Sequence, residues 1–263
     1  IVAKKTEEQP KTSLGSLIKK KEDLDAPLGL ELPDEESVPS TEISDYTILI
    51  YGAKKIGKTS LSSKFPNSIS CMFEPGGKAL RMKQVPCPSW AHFKQYVDLI
   101  DKDDSVGTVV IDTVGIAYDR CMEYACKKAG IEHPGDEGFG KGWDRVKKEF
   151  SRQVDRIQLR QGRGTLAIAH SKIEKVETRL GKSFDKIVPD LSGQAQNYIC
   201  GTFDVIGYYL LEDNQRWLQI REDDFCVAGC RPEQNFLTTS GEQVFRIPMG
   251  NSPTEAYENL VKA

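Results

Sequence analysis

Eight consecutive residues, Gly52, Ala53, Lys54, Lys55, Ile56, Gly57, Lys58 and Thr59, set a glycine, four residues and then Gly-Lys-Thr. The glycines permit a tight turn in which successive backbone N–H groups converge on phosphate oxygens, and a helix starting there adds positive potential. In that geometry Lys58 reaches the β- and γ-phosphates and the Thr59 hydroxyl ligates Mg²⁺, with Ser60 completing the phosphate-binding set. The chemistry is capture of a nucleoside triphosphate.

Such a loop needs a carboxylate near the metal, and "TVVIDT" supplies Asp112 at the end of an apolar strand, where it can also cap the following helix. The next residue is Thr113, not an acid, so the group that activates water must come from elsewhere. Glu74 ends the run "SISCMFE", and Pro75, Gly76 and Gly77 after it form a turn. That leaves the Glu74 carboxylate at the C-terminal edge of the sheet, where ligands of open α/β sheets bind. "GTLAIAHSK" brings His170 and Ser171 to the same edge, placing a polar group to sense the γ-phosphate.

Those tips need strands behind them. After Tyr46, short apolar runs alternate with helical stretches, which predicts an α/β fold with a largely parallel central sheet flanked by helices. Expected strands are Thr47–Tyr51, Ser68–Phe73, Thr108–Ile111, Thr165–Ala169 and Val205–Leu211, with Trp217–Ile220 extending the series. Helices are expected at Trp90–Ile100, Ile116–Lys128 and Trp143–Leu159; in the last, Val146, Phe150, Val154 and Ile157 mark one buried face. Residues 1–45 hold no aromatic residue and are rich in charge and proline, a composition unable to bury a core. They are expected to be an N-terminal extension, flexible or docking through Leu14–Ile18 on a neighbouring subunit, with residues 46–263 as one ATPase domain. The chain starts at Ile1, so it is expected to begin inside a longer one.

Composition narrows the class further. The 263 residues carry a net charge of −3, so any basic surface must be local. Seven scattered cysteines without a C-x-x-C pair read as reduced thiols, and Cys226 and Cys230 lack the partners of a zinc site. No apolar run nears the ~20 residues of a membrane span and no signal peptide is visible, so a cytoplasmic protein with no membrane partner is expected.

Taken in order, "GAKKIGKT", "MFEPGG", "VVIDT", "IAHSK" and "LSGQAQNYICGTFDVIGYY" resemble the RecA-like recombinase ATPases, and more closely the single-domain phage ATPases of the Sak single-strand-annealing group. The resemblance runs from Ile43 to Ile247, and the glutamate on the strand after the phosphate loop is its diagnostic member. It implies that Lys58 and Thr59 hold ATP and Mg²⁺, that Asp112 is the Walker B acid, that Glu74 activates water, and that His170 replaces the sensor that is usually glutamine in RecA. It also implies single-stranded-DNA contacts from two loops. One is Gly130–Trp143, with Phe139 and Lys141; the other is Ser171–Gly193, with Lys172, Lys175, Arg179, Lys182 and Lys186, where Phe184 is a second candidate for base stacking. The basic stretch Arg145–Arg163 is a further candidate wall for DNA. Arg221 and Arg231 are candidates to complete a neighbour's site in trans. The implied partners are single-stranded DNA, further copies of the chain in a filament or ring, and a single-strand-binding protein. A ring helicase, a P-loop kinase and a module that uses ATP only to set its conformation are the alternatives; a GTPase lacks its Asn-Lys-x-Asp base reader here.

Overall fold

Strand β1 (Thr47–Gly52) is buried at all its positions. It lies between two parallel neighbours and is covered on both faces, which is why it reads as an unbroken apolar run rather than an alternating one. Leu49 and Tyr51 point into one core and Ile48 and Ile50 into the other, so the sheet divides the interior in two. The computed structural model describes residues 34, 36–160, 162–177, 181 and 183–263. The expectations for Leu14–Ile18, Arg179 and Lys182 lie outside the described residues.

From β1 the chain turns through the phosphate loop into a short helix α1 (Lys58–Ser62), then β2 (Ile69–Met72), β3 (Lys83–Pro86) and α2 (Trp90–Ile100). It continues through β4 (Val109–Asp112), α3 (Val114–Ala129), α4 (Lys141–Gln158), β5 (Thr165–Glu177), β6 (Ser183–Pro189) and α5 (Gly193–Thr202). The remaining elements are β7 (Val205–Glu212), β8 (Gln215–Gln219), β9 (Gly229–Cys230), β10 (Arg246–Pro248) and α6 (Pro253–Lys262). The sheet order is β10-β8-β7-β1-β5-β4-β2-β3, with β6 beside β5 and β9 beside β7. Strands β3, β2, β4, β5, β1 and β7 run parallel, so their C-terminal ends share one edge. The α/β architecture with a mostly parallel sheet between helices is the one expected.

On one face, Trp90 and Phe93 of α2, Tyr118 of α3 and Phe150 of α4 form an aromatic cluster, with Trp90 and Phe150 stacked at 5.7 Å between centroids. The expected stripe of α4 is buried at Val146, Phe150, Val154 and Ile157. On the other face Leu61, Phe65, Phe236, Ala256 and Leu260 close the second core. Ile43 is buried there too, so packing begins before Tyr46.

Two expectations are corrected. Trp217–Ile220 does not extend the parallel series: β8 returns antiparallel along β7 through a turn in which Asp213 and Asn214 both have positive φ. The segment Ser171–Gly193, expected as a loop, is mostly an antiparallel ribbon, since β5 runs on past the sheet edge and pairs with β6 from Ser171↔Pro189 to Glu177↔Ser183. Beyond Ala169 the buried pattern of β5 gives way to half-buried and exposed positions. Backbone hydrogen bonds rather than burial hold the ribbon, so its charges and its period carry no strand signal.

Candidate nucleotide site

The phosphate loop joins the innermost strand to α1, and two of its glycines are required by geometry. A Cβ on Gly52 would stand 2.2 Å from the carbonyl oxygen of Tyr209, and Gly57 has φ +114°. Lys58 opens α1 and is 5% exposed. Its Nζ donates to the carbonyl oxygens of Gly52 at 2.8 Å and Ala53 at 2.7 Å. Thr59 Oγ1 donates to Asp112 Oδ2 at 2.6 Å. Asp112 ends β4 opposite Met72, so β2 delivers Glu74 two residues further along the same edge. His170 pairs with Gly52 across β1 and β5, and its Nε2 lies 3.3 Å from Glu74 Oε1.

Lys58, Thr59, Glu74, Asp112 and His170 therefore line one cleft of about 460 Å³, together with Lys54, Lys55, Gly57 and Ser60. Ala53 and Ile56 belong to the loop behind it. Burial pushes the Lys58 ammonium down to about 8, against the pull of Asp112 and Glu74. Burial raises the Asp112 carboxyl, with Glu74 adding to the rise and the Thr59 hydrogen bond opposing it. Burial thus disfavours the charged form of both groups, and a polyanion with a dication would supply the missing counter-charges. The Thr59 hydroxyl and Asp112 carboxylate, already in contact, are the hard oxygen donors that Mg²⁺ takes.

A family model described as AAA domain matches residues 44–232. The chain belongs to this family. It is a P-loop nucleoside triphosphatase by that membership and by the loop geometry above. Over 158 residues this AAA domain is 27% identical to the SPbeta prophage-derived uncharacterized protein YorG of Bacillus subtilis (strain 168), covering 57% of the chain and 47% of YorG. The chain thus spans about half the length of that relative. A KaiC-like protein of Pyrococcus horikoshii OT3 superposes with a TM-score of 0.45 at 12% identity, over 80% of this chain and 88% of that one.

Around the AAA domain's cleft the other sequence candidates are dispersed. Phe139 stands fully exposed at φ +59°, just before Lys141 opens α4. On the ribbon Lys175 is exposed, but Lys172 donates to the Leu191 carbonyl at 2.8 Å and pairs with Glu174, and Lys186 pairs with Glu222. Phe184 is half-buried. Lys172 and Lys186 are thus engaged within the chain, contrary to the expectation of open phosphate contacts. Most of the basic stretch from Arg145 is likewise paired: Arg145 with Glu137, Lys148 with Asp144, Arg152 with Glu149, Arg156 with Asp98 and Asp101, and Arg163 with Asp104, while Arg160 donates to the Val106 carbonyl. The nearby acids come partly from α2 and the loop after it, which inspection of the stretch alone does not reveal.

Neither trans candidate enters the chain's own cleft. Arg221 pairs with Glu233 at 3.3 Å. Arg231 is exposed and pairs with Asp204, whose carboxylate also accepts from Thr47, at the opposite edge of the sheet from the phosphate loop. One residue the sequence did not single out touches the loop directly: Arg216 of β8 donates Nε to the Ile56 carbonyl at 3.2 Å. It lies outside the quoted motifs and far along the chain from the phosphate loop, and only the β7–β8 pairing brings it there. Among the described residues no helix is long and apolar enough to cross a membrane.

Proposed function

We propose that this AAA domain is a Mg²⁺-dependent ATPase that works as an oligomer on single-stranded DNA, in recombination or strand annealing of the phage type in the bacterial cytoplasm. The observation that carries the reading is the Glu74–His170 pair at 3.3 Å facing the same cleft as the Thr59–Asp112 contact. In turnover Lys58 exchanges its two loop carbonyls for β- and γ-phosphate oxygens, and Glu74 accepts the proton of the attacking water. Thr59 and Asp112 would hold Mg²⁺, which would neutralise charge on the triphosphate. His170 sits where β5 leaves the sheet, so a change in its bond to Glu74 acts on the root of the ribbon.

The DNA part of the reading draws support from Phe139, fully exposed beside Lys141, and from exposed Lys175. Its phage setting draws support from the similarity to a prophage-derived protein. Arg231, exposed at the far sheet edge, is the cation proposed to reach a neighbouring protomer's cleft, with Arg221 as the second candidate. A single-strand-binding protein is the further partner proposed. The test is the ATPase rate with and without single-stranded DNA, with Lys58→Ala as control. Stimulation by DNA is expected; a rate indifferent to DNA would remove the DNA-coupled part and leave the ATPase standing.

A further inference from the structure

Most ionisable groups of the nucleotide cleft already have a partner. Lys58 is bonded to two loop carbonyls, Asp112 to Thr59, and Glu74 lies against His170. Lys54 and Lys55 line the same cleft, are exposed, and make neither a hydrogen bond nor an ion pair among the described residues. No arginine lines the cleft among those residues. Phosphoryl transfer gathers negative charge on the oxygens around the γ-phosphorus and on the leaving oxygen, and a cation brought up beside them speeds it. Within the chain, these two lysines are the uncommitted cations at hand.

The loop's backbone separates the two. Lys55 has φ +63°, in the left-handed region that glycine occupies freely and a residue with a Cβ adopts at a cost. At Gly57, the loop's other left-handed position, the chain does use glycine. Non-glycine residues held in this way cluster at functional sites, where a turn must fix a neighbouring group. Lys55 makes that turn, so Lys54 is the last residue on the strand side of it. Lys54 stands two residues past Gly52, whose register partner is His170. Of the two lysines it is the nearer along the chain to the Glu74–His170 pair.

We propose that Lys54 is a catalytic residue, a cation that the phosphate loop supplies to the γ-phosphate of its own chain's nucleotide. The proposal rests on the nucleotide reading of the loop and stands beside any cation that a neighbouring copy adds. In the step, the water oxygen bonds to the γ-phosphorus and gives its proton to Glu74. The bond from that phosphorus to the β–γ bridging oxygen breaks, and its electron pair stays on the ADP oxygen. The Lys54 ammonium meets the charge as it develops. Because Lys54 has no partner to give up, its approach costs side-chain freedom but breaks no bond within the chain, whereas Lys58 must leave two carbonyls.

Single-turnover hydrolysis and calorimetric binding of ATP, of ADP, and of ADP with tetrafluoroaluminate, each with Mg²⁺, test this on the intact chain and on Lys54→Ala, Lys54→Arg, Lys55→Ala and Lys58→Ala. Lys54→Ala is expected to slow hydrolysis about 100-fold or more while ATP and ADP affinity stay within about threefold. It should weaken the tetrafluoroaluminate complex, which imitates the transferring phosphoryl group, and Lys54→Arg should restore most of the rate. Mixing Lys54→Ala with Glu74→Gln chains should recover nothing, since neither then holds a complete site. An unchanged rate in Lys54→Ala, a loss confined to ATP and ADP affinity, or recovery on mixing would overturn the assignment while the phosphate loop stands. Binding of all three ligands indifferent to Lys58→Ala would bring down the loop reading itself.

Discussion

Lys58 is a cation kept in a place that disfavours its charge, and this has consequences that titration can read. Burial holds it at about 8 instead of its ordinary 10.5. Between those values the unfolded chain carries a proton that the folded chain lacks, so this group makes stability rise with pH through that window. Phosphate binding favours the ammonium, so above about pH 8 it must take up a proton, and affinity for ADP should fall by up to about tenfold per pH unit. Calorimetry at pH 7.5 and 9.5 in buffers of different ionisation enthalpy measures that uptake; binding without proton uptake at the higher pH would contradict the placement of Lys58. Glu74→Gln should still bind ATP while hydrolysing it at least about 100-fold more slowly, as removal of a general base requires. An unchanged single-turnover rate would return the role to another group. Lys58 was legible from the glycine spacing around it, and Glu74, Asp112 and His170 because each closes an apolar run with a polar tip: Glu74 after "CMF", Asp112 after "TVVI", His170 after "TLAIA". Arg216 and Tyr209 were not, since neither ends a run and only the pairing of β7 with β1 and β8 brings them under the loop.

Among the elements, the core strands and the long helices were legible for one reason, that burial writes itself into apolar spacing. The β5–β6 ribbon escaped because the same strand changes environment partway: Thr165 to Ala169 are buried, whereas Ile173 is 69% exposed. Helix α5 escaped because Gly193 and Gly201 at its two ends resemble loop residues, although Ala195 and Ile199 between them are buried. The ribbon also tests the DNA reading. Phosphate contacts release counterions, so if Lys175 makes one, Lys175→Ala should lower the logarithmic salt slope of single-stranded-DNA binding by about one, while Phe139→Ala should lower affinity at unchanged slope. Titrations over a salt series with a non-hydrolysable ATP analogue and with ADP decide the matter. A slope and an affinity untouched by both substitutions in either nucleotide state would move the DNA path off these two elements.

For the molecule as a whole, the cleft brings together Lys58, Thr59, Glu74, Asp112 and His170, yet neither Arg221 nor Arg231 reaches it from within the chain. If a neighbour supplies that cation, ATP turnover per chain should climb with protein concentration, and Arg231→Ala should flatten the climb without loss of ATP binding. A rate strictly proportional to concentration would make each chain self-sufficient. The two cores lie on either side of the sheet, and β1, like β4, β5 and β7, gives residues to both. Its last residue, Gly52, is matched in register with His170, where β5 ceases to be core and becomes ribbon. Mechanically, that pair is a fulcrum. From Ser171 to Glu177 the free arm reaches roughly 20 Å at about 3.3 Å per residue, while the short arm ends against the phosphate loop. If the ribbon grips DNA as proposed, tension applied there would be delivered, shortened and strengthened, to the residue that opens the phosphate loop.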